Sequence, residues 1–202
     1  MKKRGNFIRL VISCLLICIV FLGCEATIPE DVRVTYNCDV KVFSLNTKIK
    51  VSKNGDEIGE VTGDIFKFIE DPLTFKDKNG NAIAYAGDSY NFFAQDDHGI
   101  YLNNEFVYDM KGNVTFIGES YEIYDKDKSF VAKVSFNGSN TSGKMYNSSD
   151  VLIAEYTSGY LNKDFDIHIY YKCDIDENAI IMIFSSYYSD YAADSSEGHD
   201  DD

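Results

Sequence analysis

The sequence contains few of the residues and motifs that enzymes and metalloproteins commonly use. Its 202 residues include three His and five Cys, and there is no His-Glu-x-x-His or Cys-x-x-Cys zinc pattern. It also has no Gly-x-Ser-x-Gly elbow and no phosphate-binding Gly-Lys-Ser/Thr loop. These absences predict a protein that is not an enzyme and that needs no metal or cofactor.

Tryptophan, proline and basic residues are also scarce. There is no Trp and there are only 2 Pro, against 14 Gly, 15 Tyr and 14 Phe, a composition that favours β structure. The 19 Lys and Arg face 33 Asp and Glu, giving a net charge of −14 that argues against a nucleic-acid binder. The length of 202 residues allows one domain, or two small ones, with a hydrophobic core, and an apolar fraction of 45% argues against a disordered chain.

The N-terminal segment has the layout of a bacterial lipoprotein signal peptide. Four basic side chains lie within the first nine residues, and an apolar run follows from Leu10 to Leu22. That run is about 13 residues long, short of the roughly 20 that a membrane-spanning helix needs. The ending Phe21-Leu22-Gly23-Cys24 resembles a lipobox, in which Cys24 is lipidated after residues 1–23 are removed. The alternatives are an ordinary signal peptide and an uncleaved anchor.

This signal divides the chain into four predicted parts. Residues 1–23 are the signal peptide, 24–31 a tether, 32–193 the folded domain and 194–202 a disordered acidic tail. Without the signal, 15 basic residues face 33 acidic ones, a net charge of −18. The predicted location is the extracytoplasmic face of a bacterial cell membrane, with the protein held there by its N-terminal lipid.

Two cysteines remain in the predicted domain, one near each end. Cys38 and Cys173 stand in the similar settings Tyr-Asn-Cys-Asp-Val and Tyr-Lys-Cys-Asp-Ile. Outside the cytosol such a pair could form a disulfide. The alternative is two buried free thiols.

Alternating polar and apolar residues, broken by turns, dominate the chain up to about residue 172. Asn54-Gly55 and Asn79-Gly80 each separate two alternating runs, which predicts type I′ hairpins. Weaker copies place further turns near 103, 127 and 148, and Phe165–Tyr171 closes the series. Such a set of strands predicts a closed barrel or a sandwich, since closure removes exposed edges.

The alternation of polar and apolar residues ends after this series of predicted strands. Asp176 can cap a helix, Glu177 would occupy its first turn, and six consecutive apolar residues follow from Ala179 to Phe184. A helix that is apolar on every side is a buried helix, and this one is too short to span a membrane. The segment therefore predicts a helix through the centre of the barrel. A final buried strand is the alternative for Ala179–Phe184.

The order of these segments resembles that of LURP-one-related proteins. Phe43–Val61 and Leu73–Tyr85 look like the opening repeats of that family. Tyr121–Val134 and the apolar helix are similar to its later elements, over about residues 40 to 190. The resemblance implies the tubby C-terminal-like fold, which phospholipid scramblases share. That fold is a closed antiparallel β-barrel of about twelve strands around a central hydrophobic helix.

The histidines give no clear site. His98 follows Asp96-Asp97 and is predicted to lie in a loop, and His199 falls in the acidic tail. His168 alternates with isoleucines, so it is predicted on a solvent-facing strand side. The segment Asp125–Ser129 begins like a calcium loop, but it lacks the required Gly and Glu and is predicted to be a hairpin turn.

The densest basic group in the predicted domain is formed by Lys48, Lys50 and Lys53. Tubby domains bind phosphoinositide headgroups through basic residues, but a net charge of −18 favours lysines that are interspersed among acidic residues.

The sequence thus predicts a non-enzymatic, lipid-anchored envelope protein whose barrel acts as a binding or scaffold module. Its expected partners are the membrane, through the N-terminal lipid, and an unknown envelope protein or ligand, with no nucleic acid. The alternative is a membrane-lipid-binding or scramblase-like protein, and an enzyme whose site is assembled only in space is a third class.

Overall fold

Twelve strands and one helix make up the part of the chain that the computed structural model describes. That part comprises residues 31–43, 46–64, 73–88, 98–115, 118–159 and 164–197. The strands are β1 Val32–Phe43, β2 Asn46–Lys53, β3 Asp56–Asp64, β4 Leu73–Asp77, β5 Ala82–Asp88, β6 His98–Leu102, β7 Glu105–Thr115, β8 Gly118–Asp125, β9 Phe130–Phe136, β10 Ser142–Asn147, β11 Leu152–Ser158 and β12 Phe165–Tyr170. The helix is α1, Glu177–Glu197.

The strands form one closed antiparallel barrel. Each pairs with its neighbour in sequence, and β1 pairs with β12 to close the sheet, with Thr35 opposite His168 and Asn37 opposite Asp166. Closure gives every strand a partner on both sides, so no edge is left free. The predicted barrel of about twelve strands around a central C-terminal hydrophobic helix is confirmed.

Two hairpin turns have the type I′ geometry. Asn54 and Gly55 both have positive φ, 52° and 89°, as this turn requires. Asn103 and Asn104 also have positive φ, 49° and 68°, although the hairpin signal in the sequence near residue 103 is weaker than at Asn54-Gly55. Asparagine adopts the left-handed region more readily than other non-glycine residues, so the pair Asn-Asn can replace Asn-Gly.

The turn at Asn79-Gly80 is not of type I′, and that prediction is wrong. Only Gly80 has positive φ, at 85°, and the Asp77 carboxylate accepts hydrogen bonds from the backbone N–H groups of Asn79 and Asn81. An Asp side chain that bonds to the backbone two residues ahead favours this longer loop. Hydrogen bonding of the same kind at Asp125 explains the segment that began like a calcium loop, which is a hairpin turn as predicted.

Helix α1 fills the barrel. Asp176 caps it, since its carboxylate accepts a hydrogen bond from the backbone N–H of Asn178 at 2.8 Å. Every side chain from Ala179 to Ser189 is buried against the inward-facing residues of the strands, so the alternative of a final strand is wrong. No helix among the described residues combines the length and apolarity needed to cross a membrane.

The helix is longer than the apolar run that predicted it. It continues through Ser185, Ser186 and Tyr187, all buried, and ends at Glu197. The barrel wall encloses polar and apolar residues alike, so the apolar run marks only the first part of the buried helix. The helix thus runs four residues into the segment predicted as an acidic tail, residues 194–202. Residues 198–202 lie outside the described part.

The two ends of the barrel differ in what they carry. Since successive strands alternate in direction, the turns at residues 54–55, 78–81, 103–104, 126–129 and 148–150 lie at one end. The start of β1 and the start of α1 lie at the same end. We call this the entry end, and the opposite one, which includes the turn at residues 137–141, the exit end.

Candidate functional site

An open pocket of about 660 Å³ lies at the entry end, where α1 begins. Its lining includes residues from β1, β2 and the segment that joins β12 to the helix. The carboxylate of Glu177, the first helical residue, contacts the side chains of Arg33, Tyr36 and Lys53. We call these four residues the mouth cluster.

The charged and hydrogen-bonding groups of the mouth cluster are paired with one another. Glu177 Oε1 accepts a hydrogen bond from Arg33 Nη2 at 3.0 Å, and Oε2 accepts one from Lys53 Nζ at 2.8 Å. The Tyr36 hydroxyl also donates to Oε2. The Lys53 ammonium lies 5.5 Å from the centre of the Tyr36 ring, within the range of a cation–π contact. One carboxylate thus binds two cations and a phenol.

A β-bulge brings Arg33 to this cluster. Val32 pairs with Tyr170 and Val34 with Ile169, so Arg33 is the extra residue of the shifted register. A bulge redirects a side chain and bends its strand. Arg33 therefore reaches the mouth, where its Nη1 also donates to the backbone carbonyl of Cys173 at 3.4 Å.

The surroundings fix the protonation states of the cluster. Burial acts to raise the pKa of Glu177, but hydrogen bonds from Lys53 and Tyr36 and the charges of Lys53 and Arg33 leave that pKa below its usual value. Burial raises the pKa of Tyr36, and the hydrogen bond to Glu177 raises it further. Burial likewise raises the pKa of the Cys173 thiol. At neutral pH these groups are a carboxylate, a phenol and a thiol, none of them tuned for proton transfer or nucleophilic attack.

The contacts of the cluster fasten the helix to the wall. Glu177 places a negative charge at the helix N-terminus, which the helix dipole favours, and it ties the first turn of α1 to β1 and β2. The geometry therefore indicates a clamp that holds the helix in the barrel.

Replacing Glu177 by Gln is expected to lower the free energy of unfolding by about 1–3 kcal/mol at neutral pH. Because the pKa of Glu177 is lower in the folded chain than its usual 4.5, the stabilisation is fully present above pH 4.5. It is lost as the pH falls through the lower folded value. Urea unfolding of both proteins over a pH series checks this, and the difference between them should shrink only below pH 4.5.

The matched control is Glu57→Gln, because Glu57 forms an exposed ion pair with Lys50 at 3.0 Å. An exposed pair contributes less than about 1 kcal/mol. The clamp would be contradicted if both variants lost the same free energy of unfolding, or if the effect of Glu177→Gln did not change with pH.

The two cysteines are buried free thiols, which was one of the two sequence alternatives. The two cysteines lie far apart in the direction of β1. Cys173 is close to Tyr170, which pairs with Val32 at the start of β1, whereas Cys38 is six residues farther along that strand. Six residues of strand extend about 20 Å, whereas a disulfide requires Cα atoms within about 7 Å. Burial raises the pKa of both thiols. Cys24 lies outside the described residues.

The two histidines that the structure describes, His98 and His168, lie on separate strands, β6 and β12. His98 is the first residue of β6 and is buried, so its assignment to a loop is wrong, and the preceding Asp96-Asp97 lie outside the described part. His168 is on the outer face of β12 as predicted, with Nδ1 3.0 Å from the hydroxyl oxygen of Thr35. His199 is also outside the described part. Among the residues described, no three His, Cys, Asp or Glu side chains could hold a metal ion.

The lysines considered for headgroup binding are all paired with acidic residues. Lys48 binds Glu60, Lys50 binds Glu57, and Lys53 binds Glu177 in the mouth cluster. Sequence reasoning noted Glu177 and Lys53 separately but missed their contact with Arg33 and Tyr36. The signal available was limited to an acidic residue in the first turn of a helix.

Comparisons with known proteins add little to this geometry. No family model and no curated protein matches the chain. The X-ray structure of a protein from Arabidopsis thaliana is similar over 84% of this chain and 99% of its own, with 12% sequence identity and a TM-score of 0.36. A likeness this distant assigns neither a family nor a function.

Proposed function

We propose that the chain is a lipid-anchored envelope protein, held at the extracytoplasmic face of a bacterial membrane, whose barrel is a non-enzymatic binding or scaffold module. The observation that carries the proposal is the filled barrel. Side chains of α1 from Ala179 to Ser189 occupy the interior, so binding falls to the outer wall and the two ends. The protonation states of the mouth cluster support a role without catalysis.

The outer wall offers ordered polar groups to a partner. Asn37 donates to Asp166 at 2.8 Å across β1 and β12, and Glu155 on β11 accepts a hydrogen bond at 3.0 Å from the hydroxyl of Tyr170, a β12 residue that is itself only 4% exposed. Burial and the hydrogen bond to Glu155 raise the pKa of Tyr170 to about 12, so this phenol stays protonated. Such cross-strand pairs hold the wall side chains in defined positions, which suits recognition of a protein surface.

The proposal also places the chain among the LURP-one-related, tubby C-terminal-like proteins. Its support is the number of strands, their antiparallel closure and the hydrophobic helix at the end of the chain.

Cys24→Ala is expected to abolish the acyl mass and to block removal of residues 1–23, because lipidation needs the Cys24 thiol. Mass spectrometry of the intact membrane-fraction protein measures both. Cys38→Ala is the matched control, since Cys38 is buried in the core and should leave the acyl mass unchanged. Wild-type protein that keeps residues 1–23, or that has no acyl group on Cys24, would overturn the anchor.

The binding role is tested by photo-crosslinking in intact cells. A crosslinker at the exposed wall positions Lys133 or Lys144 should give discrete adducts with envelope proteins, and Cys24→Ala should remove them. Absence of adducts at both positions, together with faster lipid exchange between the leaflets of vesicles containing the protein, would favour the scramblase-like alternative.

A further inference from the structure

Exposed aromatic side chains gather at the entry end. Among residues whose exposure the structure describes, the large hydrophobic side chains that are exposed are Phe106 at 38%, Phe130 at 42% and Tyr171 at 68%. Phe106 follows the turn at 103–104, Phe130 follows the turn at 126–129, and Tyr171 follows β12. We call these three residues the aromatic rim. They border half of the barrel, from β7 to β12.

Neighbouring rings hold two members of the rim in place. Phe106 packs edge-on against Tyr101, with ring centres 5.4 Å apart, and Tyr101 stacks on Tyr85 at 4.4 Å. Phe130 packs edge-on against Tyr124 at 5.9 Å. Since these contacts restrict the rings, their exposed faces form a fixed apolar surface at the end of the wall.

Three lysines flank the rim. Lys126 and Lys128 precede Phe130, and Lys172 follows Tyr171. All three lysines are exposed, and none forms an ion pair with any residue that the structure describes. An aromatic ring beside an ammonium group on a long stem suits the membrane interface. There the ring lies at headgroup level and the ammonium group reaches the phosphates.

The N-terminal segment joins the barrel beside the rim. The Asp31 carbonyl, at the start of the described chain, accepts a hydrogen bond from the backbone N–H of Tyr171 at 3.3 Å. The seven residues from Cys24 to Asp31 extend at most about 25 Å. A lipid on Cys24 therefore keeps the entry end close to the bilayer, at an effective concentration where weak contacts are sufficient.

We propose that the aromatic rim docks on the phospholipid bilayer. The rings of Phe106, Phe130 and Tyr171 lie at headgroup level, and the flanking lysines contact lipid phosphates. The barrel then stands on its entry end, with the mouth cluster toward the membrane and the exit end toward the envelope space. This inference rests on the proposed function, since it needs the anchor at Cys24.

The absence of Trp from the chain makes a direct test available. Full-length acylated protein carrying Phe130→Trp is reconstituted into vesicles of phosphatidylcholine and phosphatidylglycerol that contain brominated lipid, a quencher of tryptophan fluorescence. The controls are Lys133→Trp, exposed three residues farther along β9, and Ser139→Trp, exposed at the exit end. We expect quenching of Phe130→Trp at least twofold stronger than of Lys133→Trp, and no quenching of Ser139→Trp.

Adding Lys126→Glu and Lys128→Glu to Phe130→Trp should weaken the quenching, and the urea midpoint confirms that each variant is folded. Flotation separates the two proposals. Protein that does not float with the vesicles overturns the anchor and the docking together. Protein that floats but shows equal quenching at residues 130 and 139 overturns the docking alone. Shielding of Phe130→Trp from aqueous iodide without lipid quenching would assign the rim to a protein partner and also overturn the docking.

Discussion

Phe184→Ala is expected to lower the free energy of unfolding by about 3–5 kcal/mol. The Phe184 ring is fully buried in α1, edge-on to Phe136 at 6.1 Å and stacked on Tyr156 at 5.8 Å. The substitution leaves a cavity, and the free energy lost depends on how far the neighbouring side chains can move into it. A closed wall around the helix can collapse very little, because each strand is hydrogen-bonded on both sides.

Equilibrium unfolding in urea, followed by far-UV circular dichroism, measures this loss. Phe130→Ala is the matched control, because it removes the same atoms from a ring that is 42% exposed at the rim. The control should lose less than about 1 kcal/mol. Similar losses in the two variants would show that α1 is not the core of the barrel.

Gly59→Ala is expected to cost about 2–4 kcal/mol, although glycine is not needed there for its backbone angles. A Cβ atom at Gly59 would overlap the backbone carbonyl oxygen of Lys76 and lie 2.9 Å from a ring carbon of Phe75. Gly59 pairs with Asp77 across β3 and β4, so the overlap can be relieved only by separating the strands. Loss of that pairing would open the barrel at one seam.

Hydrogen exchange of the β4 amides, together with the urea midpoint, measures the effect. Gly80→Asn is the control, because a Cβ atom there meets nothing within 4 Å and asparagine tolerates the φ of 85° better than most residues. That change should cost less than about 1 kcal/mol. Wild-type protection of β4 in Gly59→Ala would show that the two strands are farther apart than described.

Local chemistry made most of the fold predictable. Asn54-Gly55 specifies its own turn, because both residues adopt positive φ at little cost. The alternation of the strands determines which face points inward, and Asp176 with the apolar run after it marks the start of α1. The length of α1 was not predictable from composition. Ser185 and Ser186 are polar in sequence and become core residues only because the wall surrounds them.

The mouth cluster was beyond sequence reasoning for a physical reason. Arg33 and Glu177 are 144 residues apart and meet only after β1 has closed against β12. The bulge at Arg33 depends on the register of that closure, and no residue nearby in sequence signals it. His98 is a similar case, since its burial depends on strands that flank it only in the finished barrel.

The pairing of the first strand with the last has a consequence for how the protein is made. Thr35 and His168, which meet where the barrel closes, are 133 residues apart in sequence. Pairing of strands so distant in sequence is a slow step in folding. A chain that emerges N-terminus first presents an unpaired β1 edge and an uncovered apolar sheet until β12 and α1 have been made. The 21 residues of α1 are synthesised after the twelve strands, yet they complete the core. The barrel therefore cannot be completed before α1 has been made, and a chain cut short before residue 177 has no interior to fold around.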